Sequence, residues 1–232
     1  MKNVTSITSV LLMSLSDDQE TIHVLFIFFL LIYLMTVFSN FLIILLVVTC
    51  AHLHTPMYFF LGNLAFLDMS YSSVTAPSML SHLITQHWSI SLSECKAQIF
   101  FVMYFAGSEP LLLSFMSYDR YVAICRPLHY SQFMSWGTCA EMASLVWSTA
   151  FFVCITHIIC LRRLTFCGPN LIENFFCDLP HLFQISCTDP TINVLILIIV
   201  GVGICTAALV TTFYPYVMIF RAVLRIGTSD GK

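Results

Sequence analysis

Between Thr191 and Phe220 the chain runs for thirty residues without a charged side chain. A bilayer-crossing helix needs ~20 apolar residues, and such a run is the mark of a membrane span. At ~1.5 Å per residue it would outreach the hydrocarbon core, so it is expected to tilt or project past it. Four further apolar blocks, about 22–49, 57–83, 97–117 and 138–159, are each long enough to span. Inside a bilayer every backbone N–H and C=O must pair within its own segment, so each block is expected to be a helix. The expected fold class is an all-α membrane protein, a single transmembrane domain with five spans over residues 1–232. Composition agrees: 59% of the 232 residues are hydrophobic and 9% are charged, against roughly 25% charged in a soluble domain. The net charge of -3 points to no nucleic-acid partner.

The N-terminus lacks the form of a signal peptide. Residues 1–21 carry Lys2 but also Asp17, Asp18 and Glu20, and the apolar run behind them is too long for an h-region. The first block therefore reads as a retained span. With the N-terminus outside, the inner side holds Arg120, Arg126, Arg221, Arg225 and Lys232, and the outer side Lys2, Lys96, Arg162 and Arg163. That bias is weakly positive-inside. The triplet "NVT" at Asn3 is an acceptor for N-glycosylation, which requires a lumenal terminus.

Four of the ten cysteines, Cys95, Cys167, Cys177 and Cys187, fall in loops on that outer side. Disulfides persist in an oxidising compartment, and spacing leaves all three pairings of four cysteines open. A zinc site in this cluster would want CxxC or HxxxH spacing, and neither is present. The other six cysteines read as small apolar fillers.

Asp68, about twelve residues from the inner end of the second span, and Glu109, about thirteen from the outer end of the third, land near mid-membrane. Asn40 lies at a similar depth. A charge there costs at least ~2.5–3.5 kcal/mol, so these groups are expected to face the bundle interior. Either one carboxylate holds a proton, or a cation sits between them, or the group is a hydrogen-bonded packing patch. At the inner end of the third span stand Asp119, Arg120 and Tyr121. Two readings compete there: a conformational latch, in which the Asp holds the Arg, and a charge cap snorkelling into the headgroups.

The stretch "MSYDRYVAICRPLHY", Met116 to Tyr130, resembles the signature of olfactory receptors, MAYDRYVAICxPLxY. "LHTPMYFFLGNLAFLD" from Leu53 is similar to that family's first inner loop and second helix. "CGPNLIENFFCDLPHLFQISCTD" from Cys167 resembles its long second outer loop, and "AVLRI" from Ala222 the end of its fifth helix. Together these motifs cover nearly the whole chain.

The resemblance implies a rhodopsin-like helical bundle and a G-protein-coupled receptor for volatile odorants at the plasma membrane, and no enzyme. It implies that Arg120 contacts the heterotrimeric G protein, of the olfactory type, and that Asp119 restrains it at rest. It implies a sodium ion at the Asn40, Asp68 and Glu109 cluster, the pairs Cys95–Cys177 and Cys167–Cys187, and a glycan on Asn3. The odorant site would lie in the outer halves of the third and fifth helices. Ile99, Val102, Met103, Ala106 and Gly107 form one face of the third; Val200, Gly201 and Ile204 lie on the fifth. Such apolar groups suit hydrophobic ligands held by shape, and the same stripe also suits plain packing.

The departures count too. The family has seven helices and five are present, so a receptor truncated after the fifth helix is expected. The alternative is a non-signalling five-helix product, retained in the endoplasmic reticulum or modulating full-length receptors. Pro215 stands where the family commonly has Ser, and a kink near the inner end of the fifth helix is expected. A transporter would want inverted repeats, and an enzyme a nucleophile elbow or HExxH; none is evident in the sequence.

Overall fold

The five apolar blocks become five long helices: α1 Gln19–Thr49, α2 Pro56–Thr85, α3 Leu92–Cys125, α4 Trp136–Leu161 and α5 Thr191–Ser229. They are seen in a computed structural model that describes residues 8–16, 18–167 and 170–229, with side chains as far as Leu224. Local chemistry sets where they begin. Asp18 accepts the Thr21 N–H at 2.9 Å to cap α1. Pro56 opens α2 at a position where its missing N–H is no loss. Ser91 and Glu94 form a capping box on α3, and Ser135 accepts the Thr138 N–H at 3.2 Å to cap α4. α2 ends on Gln86, whose φ of 52° places it in the left-handed region. The helices overrun the apolar blocks because such caps, rather than hydrophobicity, stop them. α5 continues as one helix through Pro215, which is buried.

α1, α3, α4 and α5 are long and apolar enough to cross a membrane. α2 is long enough at 30 residues, but Asn63, Asp68 and a hydroxyl-rich turn lower its apolarity. Ser70, Ser73 and Thr75 each donate to the carbonyl four residues back, which is how hydroxyls are hidden in apolar surroundings. α3 is the hub, packed against α2, α4 and α5, while α1 packs chiefly on α2. Val24, Phe28, Leu31, Met35 and Phe38 of α1 are exposed, a stripe suited to lipid rather than water.

One end of the bundle carries the disulfides and a small sheet. Its strands are β1 Ser9–Leu12, β2 Ser89–Ser91 and β3 Leu171–Ile172, in the order β2-β1-β3. β1 runs antiparallel to β2, with Val10 opposite Ile90, and parallel to β3, with Leu11 opposite Leu171. The two-residue period turns Val10 and Leu12 into a core with Ile99, Leu161, Ile172 and Leu182, and leaves Leu11 exposed. The expectation of helices alone missed this sheet, because strands of two to four residues carry no readable period. Toward the other end lies a second core, with Phe60, Leu112, Val122, Met134, Cys139 and Val146.

Candidate functional site

Asp119 is 2% exposed near the inner end of α3, and its Oδ1 accepts the Tyr130 hydroxyl at 2.8 Å. Tyr130 begins a four-residue helix, Tyr130–Phe133, just past the turn Pro127–His129. Burial, and then the Asp119 carboxylate, push the Tyr130 hydroxyl well above the usual tyrosine range, so it stays a donor. Arg120 is exposed and, among the described residues, makes no salt bridge with Asp119. Arg120 thus acts on Asp119 electrostatically, without a direct salt bridge. Adjacent residues on a helix do not face each other, so burying Asp119 turns Arg120 away from it. Tyr121 is half-buried, its ring 6.4 Å from that of Tyr118. With Arg126 and Leu128 also exposed, this end offers a guanidinium fork and an apolar knob. That chemistry suits a helix end presenting carbonyls or carboxylates.

Above it, hydroxyls tie α3 to α5. Ser117 Oγ donates to the Thr212 carbonyl at 2.8 Å, and Thr211 Oγ1 to Ser114 Oγ at 2.9 Å. Sequence reasoning missed this ladder, although Ser114 and Ser117 share a face at helical spacing. Leu111, Phe115, Met142 and Tyr214 help line a cavity of about 460 Å³ beside it.

The mid-membrane polar groups make no hydrogen bonds to one another among the described residues. Asn40 donates to the Thr36 carbonyl of its own helix at 2.9 Å. Asp68 is half-buried and Glu109 exposed, and neither has a hydrogen-bond partner among the described residues. No group of three or more His, Cys, Asp or Glu side chains is placed there to hold a metal ion.

The apolar ligand candidates divide. Ile99 is 1% exposed within the disulfide-end core, and Met103 packs against that core; the structure uses Ile99 for packing. Val102, Val200 and Ile204 are half-buried and Ala106 is exposed. Beside Gly107 and Gly201 there is open space, with nothing within 4 Å of where a Cβ would stand. None of these eight lines the α3–α5 cavity or the two at the disulfide end. Of those two, one of about 320 Å³ lies between α1 and α2, walled by Tyr33, Tyr71, Met79 and Phe175. The other, of about 430 Å³, lies between α2 and α3.

The long loop is pinned by Cys95–Cys177 and Cys167–Cys187, with Cα separations of 5.4 and 5.6 Å, ordinary for disulfides. This is the pairing the resemblance implies. Gln98 Oε1 accepts the Cys177 N–H at 3.1 Å and adds a second tie to α3. Asn3 lies outside the described residues.

A sequence profile of the olfactory receptor family matches residues 29–232. Olfactory receptor 1C1 of Homo sapiens is 40% identical over 231 residues, 100% of this chain and 74% of that receptor. Olfactory receptor 1f45 of Rattus norvegicus is 41% identical over 229 residues, 99% of this chain and 73% of that receptor. A crystal structure of squid rhodopsin matches with a TM-score of 0.71 at 23% identity, covering 91% of this chain and 55% of the rhodopsin chain. At that identity the likeness concerns the fold alone, and it is the rhodopsin-like bundle expected from the sequence. The chain thus spans about three quarters of the receptors' length and just over half of the rhodopsin's.

Proposed function

The chain belongs to the olfactory receptor family, and on that premise we propose that it binds small volatile hydrophobic odorants and couples to an olfactory-type heterotrimeric G protein. Membership makes it a multi-pass membrane protein and a signalling receptor rather than an enzyme. In this reading the disulfide end faces outward at the plasma membrane. Odorant enters the face between α3 and α5 where Gly107 and Gly201 leave room, flanked by Val102, Ala106, Val200 and Ile204. The G protein meets the Arg120 end.

One observation carries the coupling reading: Arg120 is exposed while its neighbour Asp119 is buried on Tyr130. The guanidinium is exposed and makes no salt bridge among the described residues, and the helix end behind it is held by the Asp119–Tyr130 bond. The test is to express the chain with an olfactory-type G protein, apply a panel of hydrophobic odorants, and read cAMP. Arg120→Ala should lower the response by about tenfold or more, the effect of removing charge-assisted hydrogen bonds, with surface staining unchanged. An undiminished response in that variant would rule out coupling through Arg120. A chain that reaches the surface and answers no odorant would instead favour the non-signalling reading, in which it modulates other receptors.

A further inference from the structure

The cavity between the disulfide ends of α2 and α3 combines features absent from the odorant face just described. Val74, Ser78 and His82 descend α2 at four-residue spacing, and Glu94, Gln98 and Phe101 occupy one face of α3; all six line it. Gln98 is 8% exposed, yet only half of its amide is engaged. Its Oε1 takes the Cys177 N–H, which fixes Nε2 as the outward half of the amide. Among the described residues Nε2 has no hydrogen-bond partner, and no fully buried side-chain nitrogen or oxygen lacks one. Nε2 therefore keeps open space around it, and the cavity that Gln98 lines supplies that space.

Of the neighbouring polar groups His82, Ser78 and Glu94 are engaged, whereas the hydroxyls of Ser81 and Ser89, which also line the cavity, have no hydrogen-bond partner among the described residues. His82 Nδ1 donates to the His87 carbonyl at 2.7 Å, its Nε2 pairs with the Ser78 hydroxyl at 3.4 Å, and its ring stacks 5.6 Å from Trp88. Glu94 is exposed at the rim, with Oε2 held by the N–H and hydroxyl of Ser91. The cavity thus offers hydrogen-bond donors, the Gln98 amide foremost, a negative rim, and an apolar wall from Val74, Ile90, Ala97 and Phe101. A carboxylate would be repelled by Glu94, and a pure hydrocarbon would leave the Gln98 donor unpaired. A neutral molecule with one good acceptor and an apolar body meets all three conditions. A volume of about 430 Å³ lies at the small end of ligand sites.

We infer that this cavity is a second small-molecule site, for aldehydes, ketones and esters, in which the Gln98 Nε2–H donates to the ligand carbonyl. It shares no residue with the α3–α5 face, and occupancy is independent of signalling. A receptor that never produces cAMP still tests it.

The experiment uses the purified full chain in an ester-free detergent, with 2-heptanone labelled with carbon-13 at its carbonyl. Saturable binding is expected by saturation-transfer NMR, with the carbonyl stretch lowered from its value in an apolar solvent. Gln98→Glu keeps an oxygen for the Cys177 N–H but removes the donor, and should weaken binding by about tenfold and abolish the stretch shift. Ala97→Phe, at an exposed position lining the cavity, should block binding without touching Gln98. Glu94→Gln, which retains a capping side chain, should admit heptanoate, which the unaltered chain excludes. Equal binding of heptane and 2-heptanone, or undiminished binding in Gln98→Glu or Ala97→Phe, would overturn the assignment.

Discussion

At the disulfide end, Val10, Ile99, Ile172 and Leu182 reach one core from three separate stretches of chain, β1, α3 and the long loop before α5. At the Asp119 end, Phe60, Leu112, Val122 and Val146 come from three consecutive long helices. The difference is one of loop entropy. Helices in an antiparallel bundle bring their apolar faces together with short connections. A core gathered from a terminal strand, the start of α3 and a long loop must first hold those segments in place, at a cost that grows with the chain enclosed. Both disulfides sit at the end where that cost is largest. The buried Asp119–Tyr130 bond sits at the other.

Removing the disulfides should break the contrast most sharply. Cys95→Ser opens a closure across 82 residues and should lower stability by about 4–5 kcal/mol by chain entropy, whereas Cys167→Ser, across 20 residues, should cost about 1 kcal/mol less. Unfolding midpoints of the two purified variants check the order, and an equal effect would mean that loop closure is not what these bonds supply. Leu12→Ala comes next. Leu12 is nearly buried beneath the sheet, and its truncation should cost about 2–4 kcal/mol. Hydrogen exchange should show the loss in β1, β2 and the long loop, with α2 and α4 near the Asp119 end unchanged; a uniform loss would show that the two ends unfold as one unit. The smallest effect is expected from Tyr130→Phe, which leaves the Asp119 carboxylate without its hydroxyl donor and should cost about 1–3 kcal/mol. Exchange should rise at residues 118–134 and not in the sheet.

Much of the frame was legible in advance. The positions of the five helices follow from the apolar blocks; four of their starts are set by Asp18, Pro56, Ser91 and Ser135, local chemistry that the apolar blocks did not mark. The candidate site was legible only in part. Asp119 and Arg120 stood out as an adjacent pair, but Tyr130 is eleven residues on and meets Asp119 only because the turn Pro127–His129 folds back. The α3–α5 hydroxyl ladder joins residues nearly a hundred positions apart, beyond any local period. Ile99 and Val102 look alike as apolar residues on one helix, yet one is sealed in a core and the other half-buried, a difference that depends on where β1 and the long loop settle.

The sequence by itself determined that this chain is a bundle of apolar helices of a known receptor family, because hydrophobic runs and contiguous motifs act within a few residues of themselves. Only the tertiary structure decided that Asp119 takes the Tyr130 hydroxyl, that residues 9–12 complete a sheet, and that the Gln98 amide keeps a free donor beside a cavity. Each of those depends on which distant segments share a space, and no local pattern in the chain encodes that.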